Sequence, residues 1–363
     1  MIEDGKRKYF RLFRDELERI AVRPVRLMEV CGTHTMAIGR AGLRQVLPPQ
    51  ISLVSGPGCP VCVTADADID SFLGLAKERR VTVATFGDMM RVPGNEGSLA
   101  DFRAAGADIR VVYSPLEALE LARSNPGQEI VFLGIGFETS APGTAQAIIR
   151  AGREGLKNFS VYNLHKTVPQ ALQVLLDDPG QALDAFILPG HVSAIIGEAP
   201  YRFMPEKYGV GGAIAGFEPT DILAAIARLV KDINSGCPRI TNLYGQVVRP
   251  GGNTAAQQIL AETFEPCDAD WRGLGMIPGS GLKLRPRYAG FDAALKFGVS
   301  RAPAKVRAGC RCGEVLKGIL RPVACPLFGR TCTPEHPVGP CMVSSEGTCA
   351  AYYLYEGGKA HAS

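Results

Sequence analysis

The sequence predicts an α/β protein made of two parallel-sheet α/β domains and a small Cys-rich domain. Three observations support this prediction. Short apolar, β-rich runs alternate with helical stretches, Cys, His, Asp and Glu follow the strand ends, and six of the eleven cysteines lie between residues 310 and 349. Strands that alternate with helices favour parallel sheets built from βαβ units. A length of 363 residues suits two to three domains, so we expect domains over residues 1–125, 126–235 and 236–363.

The predicted elements follow one another from an opening helix with Phe10, Phe13, Leu17 and Ile20 on one face. We predict strands at residues 25–30, 51–54, 81–84, 109–112, 130–133, 160–163 and 186–188. A helix should begin at Ser114-Pro115, because a capping residue there precedes Pro. An apolar stripe predicts another helix over residues 220–233. We expect one sheet on each side of a join near Asn125, and after about Asn234 a unit organised around metal.

Composition excludes several classes of protein. The chain is 46% apolar and 21% charged with a net charge of +4, as expected for a protein with a sizeable core. It has no basic patch with interleaved aromatic residues, which argues against nucleic acid as a partner. It has neither an apolar run of ~20 residues for a membrane span nor a signal peptide. We therefore expect a cytoplasmic protein, in which cysteines bind metals or do redox chemistry rather than form structural disulfides.

The cysteines near the C-terminus have spacings that suit an iron–sulfur cluster. They occur as three pairs, Cys310 with Cys312, Cys325 with Cys332, and Cys341 with Cys349. Thiolates are soft ligands that select zinc, copper(I) or iron–sulfur clusters. A [4Fe–4S] cube takes four cysteines, so two are left over, and a leftover pair suggests a redox disulfide. The third domain is therefore expected to be an iron–sulfur domain that moves or stores electrons.

Reactive side chains also follow six predicted strands. In open α/β sheets ligands bind at the carboxyl ends of the strands, so six such ends in one chain suggest a shared cleft. The residues concerned are Cys31 and His34, Cys59 and Cys62, Asp88, Glu138, His165, and His191.

Each of these residues also has a purely structural interpretation. Cys31 and His34 are either core residues or a thiolate and an imidazole that face one metal ion. Cys59-Pro-Val-Cys62 is either a metal clip or a redox pair, and a helix starting after Cys62 would favour the thiolate. Glu138 could cap the following helix, and His191 could be a core histidine. Cys237 and Cys267 lack close cysteine neighbours and are interpreted as bystanders.

Taken together, the motifs resemble those of the HypD family of hydrogenase maturation factors, in order and over nearly the whole chain. The resemblance implies a scaffold for the Fe(CN)2CO unit of [NiFe] hydrogenases, which works with HypC and receives cyanide from HypE. It also implies two α/β domains and a third that carries a [4Fe–4S] cluster. The motifs are Cys-Gly-Thr-His at 31–34, Gly-Pro-Gly-Cys-Pro-Val-Cys at 56–62, Gly-Phe-Glu-Thr at 136–139, Pro-Gly-His-Val-Ser at 189–193 and Cys-Met-Val-Ser-Ser-Glu-Gly at 341–347.

The resemblance also implies roles for individual residues. Cys31 would hold Fe(II) carrying cyanide and carbonyl ligands, with His34 either a further ligand or a proton acceptor. The first motif departs from the family pattern at Met36, to which no metal role is given. The Cys-rich segment resembles ferredoxin:thioredoxin reductase, in which a cluster lies beside a disulfide, and this resemblance gives one member of the Cys310/Cys312 pair to the cluster and the other to the disulfide, without deciding which. Cluster ligands would be Cys310, Cys325, Cys332 and Cys349, and the reactive residues would be Cys59, Cys62, Cys312, Cys341, Glu138 and His191.

The resemblance favours a redox-active assembly scaffold rather than a conventional turnover enzyme. In this hypothesis electrons pass from the cluster to Cys312 and Cys341, then to Cys59 and Cys62, and finally to the iron. Two other classes fit the cysteine pattern. One is a thiol–disulfide oxidoreductase of the ferredoxin:thioredoxin reductase type. The other is a zinc-structured interaction module, because Cys-rich tails also suit zinc ribbons.

Overall fold

The computed structural model describes residues 12–301 and 308–357 and has a mixed α/β architecture with parallel sheets and a Cys-rich segment near the C-terminus. The predicted fold class is therefore confirmed. The strands within these residues are β1 (Val25–Glu29), β2 (Ile51–Ser55), β3 (Val81–Thr85), β4 (Ile109–Val111), β5 (Glu129–Gly134), β6 (Phe159–Asn163), β7 (Ala185–Pro189), β8 (Gly211–Ala215), β9 (Ile240–Asn242), β10 (Phe264–Trp271) and β11 (Gly275–Leu284).

The helices of the described residues begin with α1 over residues 12–20, on which Leu17 and Ile20 are buried. Phe10 of the predicted opening helix lies outside the described residues. The other helices are α2 (Gly32–Arg40), α3 (Leu43–Val46), α4 (Pro60–Val63), α5 (Asp66–Leu75), α6 (Leu99–Ala104), α7 (Pro115–Ser124), α8 (Ala141–Glu154), α9 (Val168–Asp177), α10 (Gly190–Ile196), α11 (Phe203–Tyr208), α12 (Pro219–Asn234), α13 (Thr254–Thr263), α14 (Ala293–Lys296), α15 (Cys312–Leu316) and α16 (Thr348–Tyr355).

The strands form two parallel sheets and one antiparallel hairpin. The first sheet has the order β2-β1-β7-β8-β9 and the second the order β4-β3-β5-β6, while β10 and β11 pair with each other. The chain leaves the first sheet after β2, builds the whole second sheet, and returns at β7. Because parallel neighbours need crossover connections, helices lie between successive strands of both sheets.

This topology corrects the expected placement of the sheets. We expected one sheet on each side of a join near Asn125, but β3 pairs with β5 across that position, from Val81 opposite Glu129 to Ala84 opposite Phe132. Asn125 lies only at the end of α7, so the join is a turn within one sheet. The physical reason is that strand order depends on long-range pairing, which the local pattern of apolar residues does not encode.

Four apolar cores lie within the described residues, the smallest of them inside the Cys-rich segment, and the other three stabilise the arrangement of the sheets. One core packs α12 and β1 on one side of the first sheet, and another packs α7 and α8 against the second sheet. The third and largest core joins both sheets, the β10–β11 hairpin and the Cys-rich segment, and it contains Cys59, Cys62, Cys312 and Cys341. The cysteines of three distant parts of the sequence are therefore packed in one apolar interior. Within the described part of the chain, no helix has the length and apolarity that a membrane crossing needs.

Candidate functional site

Cys31 lies where β1 ends and α2 begins, in contact with the loop that carries Cys59. The Gly32 amide donates to the Gly58 carbonyl over 2.9 Å, and Cys31 is 8% exposed. Burial raises the pKa of its thiol to about 12, although the backbone amide of His34 at the start of α2 lowers it, while Glu346 and Glu29 add to the increase. The free thiol is therefore protonated, and a metal would have to displace that proton on binding.

Glu29 is a buried carboxyl group that fixes the backbone before α2. It is fully buried, and burial raises its pKa to about 7. Its Oε1 accepts from the Thr35 hydroxyl at 2.6 Å and its Oε2 from the Cys31 amide at 3.1 Å. Sequence reasoning missed Glu29, although a carboxylate directly after the apolar residues Leu27 and Met28, at the end of a strand, was a usable signal.

His34 and His191 both contact the ring of Phe217. The ring centroids are 4.8 Å apart for His34 and Phe217, and 4.0 Å apart for His191 and Phe217. His34 is fully buried, burial lowers its pKa to about 4, and its Nε2 donates to the Gly216 carbonyl over 2.9 Å. Its Nδ1 then carries a lone pair that is buried without a hydrogen-bond partner. That nitrogen is available to a metal or a donor, whereas His191 is exposed and is no core histidine.

Phe217 was also missed by sequence reasoning, although a signal for it existed. The tripeptide Gly-Phe-Glu occurs at 136–138, where it was noted, and again at 216–218. Both copies follow a parallel strand, β5 in one sheet and β8 in the other.

Cys59 and Cys62 form a buried pair at the start of α4. The structure joins them with their Cα atoms 5.2 Å apart, and the Cys59 sulfur accepts from the Cys62 amide at 3.2 Å. One expectation needs correction. The helix begins at Pro60, before Cys62, so Cys59 caps it and Cys62 lies inside it. With only four residues, α4 supplies little helix dipole to favour a thiolate.

Glu138 approaches the same region from the second sheet. It is 3% exposed, burial raises its pKa to about 7, and its Oε1 accepts from the Val168 amide at 2.9 Å at the start of α9. It therefore contacts the N-terminus of α9, rather than capping the helix that follows it in sequence. The buried hydroxyl of Tyr201 is within electrostatic reach of both Glu138 and Cys31, and burial raises its pKa. The Tyr201 hydroxyl accepts a hydrogen bond from the Ser193 hydroxyl at 3.2 Å, and nothing in the local sequence indicated this buried group.

The Cys-rich segment is hydrogen-bonded to both sheets through the residues between Cys341 and Cys349. The Ser344 hydroxyl donates to Asp88 after β3 over 3.0 Å. Two residues later, Glu346 accepts from the Thr33 hydroxyl at 2.6 Å, beside Cys31. The loop after β1 is thus hydrogen-bonded to the loop after β2, through Gly32 and Gly58, and the Cys-rich segment is hydrogen-bonded to the residues that follow β1 and β3. His165 lies apart from these loops, buried between Asn163 and Ser140.

All six C-terminal cysteines line one small cavity. The sulfurs of Cys312 and Cys341 are 2.8 Å apart, and both thiols are buried. Cys310 contacts Cys312, and Cys349 contacts Cys341. The cavity is lined by Cys310, Cys312, Cys325, Cys332, Cys341 and Cys349 together with Val315, Leu327, Phe328, Gly339 and Met342.

These residues fit an iron–sulfur cluster by donor type and surroundings. Soft sulfurs face one apolar space, and the Cys332 sulfur accepts an amide hydrogen bond from Val338 at 3.3 Å, the kind of contact that tunes cluster thiolates. Across residues 12–301 and 308–357, no three or more His, Cys, Asp or Glu side chains already surround one metal position. The sulfurs would therefore have to reorient to bind. Cys237 is exposed and Cys267 half-buried, and neither lines this cavity.

Comparison with known proteins agrees with the motifs. The HypD family model, described as "Hydrogenase formation hypA family", matches residues 7–356. The hydrogenase maturation factor HypD of Rhodobacter capsulatus is 50% identical over 351 residues, which cover 95% of this chain and 93% of that protein. The factor of the same name from Escherichia coli is 46% identical over 344 residues, which cover 93% of this chain and 91% of that protein. A putative hydrogenase expression/formation protein of Methanocaldococcus jannaschii is 42% identical over 357 residues, which cover 98% of this chain and 99% of that protein. The chain belongs to the HypD family of hydrogenase maturation factors.

Proposed function

We propose that the chain is the scaffold on which the Fe(CN)2CO unit of [NiFe] hydrogenases is assembled. One observation carries this proposal. The loop of Cys31 is hydrogen-bonded on one side to the Cys59–Cys62 loop, through Gly32, and on the other to the Cys-rich segment, through Thr33. A sulfur that can hold iron therefore lies between two groups of cysteines that can supply electrons.

The iron would bind through the Cys31 sulfur. The Nδ1 lone pair of His34 is a second possible donor on the same helix, although the His34 ring is held by Gly216. A cysteine of HypC would close the other side, and HypE would donate cyanide. The assignment of these two partners follows from membership of the family rather than from contacts within the chain.

The electrons would travel through three groups of cysteines. Four of the cavity cysteines would hold a [4Fe–4S] cluster, which supplies electrons one at a time, by the assignment Cys310, Cys325, Cys332 and Cys349. The closeness of Cys312 and Cys341 supports their assignment as the second group. The turn Pro340–Met342 packs against α4, which supports a transfer from this pair to Cys59 and Cys62.

The iron assignment is tested by infrared spectroscopy of the complex purified anaerobically with HypC. The wild type should show cyanide and carbonyl stretching bands, and Cys31→Ala should lose them while the brown colour of the cluster remains. Cys237→Ala is the matched control, because Cys237 is exposed and should leave both signals unchanged. Bands of normal intensity in Cys31→Ala would mean that the iron is held elsewhere.

The two alternatives are less well supported. An oxidoreductase that acts on other proteins needs an accessible disulfide, but Cys59 and Cys62 are only 3% and 0% exposed. A zinc-structured module would be colourless when purified without oxygen, and its metal would be zinc rather than iron and sulfide. Metal and sulfide analysis of the anaerobic protein therefore separates zinc from a cluster.

A further inference from the structure

A buried arginine lies between the two cysteine pairs of the proposed relay. Arg272 is in the turn that joins β10 to β11 and is 9% exposed. Arginines in hairpin turns are normally solvated, and burying a guanidinium is costly unless its charge and donors are compensated. Its contacts therefore need an explanation.

On one side, Arg272 holds the segment that directly follows Cys62. Its backbone amide donates to the Val63 carbonyl at 2.8 Å, and its Nη2 donates to the Thr64 carbonyl at 2.9 Å. Its Nη1 donates to Asp66 at the start of α5 at 2.6 Å. Three hydrogen bonds thus fix the turn against the end of α4.

On the other side, the same turn lies against the start of α15. A Cβ at Gly273 would overlap the Cα of Gly313, so the two backbones touch directly beside Cys312. Burial lowers the pKa of Arg272, but its electrostatic interactions with Cys312 and Asp66, and to a smaller extent with Cys341, outweigh burial and raise it. The guanidinium can therefore interact with a thiolate of this pair when one forms.

One donor of Arg272 has no partner. Its Nε is buried without a hydrogen-bond acceptor among the described residues. An unpaired donor on a buried cation is unfavourable in the resting protein and becomes favourable when an anion forms beside it. The turn thus combines a fixed position, a positive charge and a free donor at the junction of the two cysteine pairs.

We propose that Arg272 is a positioning residue for electron transfer from Cys312 and Cys341 to Cys59 and Cys62. Its contacts with Thr64 and Asp66 hold the two pairs side by side, and its charge stabilises the negative sulfur during the exchange. This inference rests on the relay of the proposed function, to which it adds a residue that carries no sulfur and binds no metal.

The step balances as a thiol–disulfide exchange. A sulfur of the reduced Cys312/Cys341 pair attacks one sulfur of the Cys59–Cys62 bond, which breaks as the mixed disulfide forms. The second sulfur of the donor pair then attacks the mixed disulfide. This attack forms the Cys312–Cys341 disulfide and breaks the mixed disulfide, which releases the second sulfur of the Cys59/Cys62 pair. Two electrons and two protons leave Cys312 and Cys341, and Cys59 and Cys62 become thiols.

The test follows both pairs in the anaerobic full-length protein with its cluster. The protein starts with both pairs oxidised, receives reduced methyl viologen, and is quenched with acid at successive times. Differential alkylation and mass spectrometry then give the fraction of each pair that is reduced. In Arg272→Met, the Cys312/Cys341 pair should become reduced at the wild-type rate. The Cys59/Cys62 pair should become reduced about tenfold more slowly, a factor equal to about 1.4 kcal/mol.

Arg301→Met is the matched control. Arg301 also joins α5 to β10, through ion pairs with Asp68 and Asp270, but its side chain is 44% exposed. Its loss should leave both rates unchanged. Arg272→Lys keeps the charge without the guanidinium and should give an intermediate rate. The fluorescence of Trp271, the chain's single tryptophan, together with the melting temperature and the cluster absorption, reports whether each variant keeps its fold.

The outcomes separate this inference from the relay itself. A wild-type rate at Cys59 and Cys62 in Arg272→Met overturns the role of Arg272. If Arg272→Met does not fold, a wild-type rate in Arg272→Lys overturns it instead. If Cys59 and Cys62 are reduced at the wild-type rate in Cys312→Ser, the relay is wrong, whatever Arg272 does.

Discussion

Gly58 allows the loop of Cys59 to lie directly against the backbone of Cys31, and Gly58→Ala should separate the two. A Cβ at Gly58 would lie 2.5 Å from both Cys31 Cα and Val30 C, and closer still to the Cys31 nitrogen. All three are backbone atoms, so no side-chain rotation can relieve the overlap. Because unbonded carbons prefer about 3.5–4.0 Å, the loops must move apart by about 1 Å.

The cost of this movement can be estimated from two contributions. Overpacking a close-packed interior costs about 1–3 kcal/mol. The hydrogen bond from the Gly32 amide to the Gly58 carbonyl would be weakened or lost, which adds about 1 kcal/mol. We therefore expect Gly58→Ala to lower the free energy of unfolding by about 2–4 kcal/mol, and to reduce hydrogenase maturation because Cys31 no longer meets Cys59.

The assay compares denaturant unfolding of anaerobic protein with hydrogenase activity in cells that carry each variant. Gly127→Ala is the matched control, because a Cβ there meets no atom within 4 Å. It should leave both measurements unchanged. If Gly58→Ala unfolds at the same denaturant concentration as Gly127→Ala and supports normal maturation, the two loops are not packed as described.

Three further predictions concern the thiols and one buried histidine. Cys310→Ala should lose the visible absorption of the cluster and Cys312→Ala should keep it; the opposite pattern reverses the two assignments. Cys59→Ser and Cys62→Ser should each abolish maturation while leaving the fold intact, and a double variant that still matures hydrogenase reduces the loop to a structural turn. Burial lowers the pKa of His165 to about 3. As the pH falls, His165 is therefore protonated in the unfolded chain before it is protonated in the folded protein. The free energy of unfolding should fall between about pH 6.5 and pH 3, by up to about 5 kcal/mol. Unfolding at pH 7 and pH 4 should therefore show a smaller acid loss in His165→Gln, and equal losses would contradict this origin.

The seven predicted strands all occur in the structure, with ends that agree to within one residue. They were predictable because strands of a parallel sheet are buried on both faces and become continuous apolar runs, as in β5, or runs rich in β-branched residues, as in β3. The helices α7 and α12 were predictable for local reasons as well. Ser114 caps α7 by accepting from the Glu117 amide, and α12 has a continuous apolar stripe.

The four remaining strands were missed for identifiable reasons. The sequence of β8 is Gly-Gly-Ala-Ile-Ala, whose small residues have little strand propensity on their own, and β9 is a three-residue edge strand. The hairpin strands β10 and β11 contain Pro and Gly and have a bulge between Cys267 and Ala269, so neither shows clean alternation. All four depend on neighbours that are distant in sequence.

The residues of the candidate site also fall into two groups, those that the local sequence indicates and those that depend on distant parts of the chain. Cysteines and histidines are visible locally, because their chemistry belongs to the residue and their spacing to a short motif. Glu29, Tyr201 and Arg272 were not visible, because their importance comes from burial next to a group that another part of the chain supplies. Arg272 is separated from Cys62 by 210 positions and from Cys312 by 40. A motif can therefore predict which sulfurs react, but the charge that assists them is determined by packing that no local pattern contains.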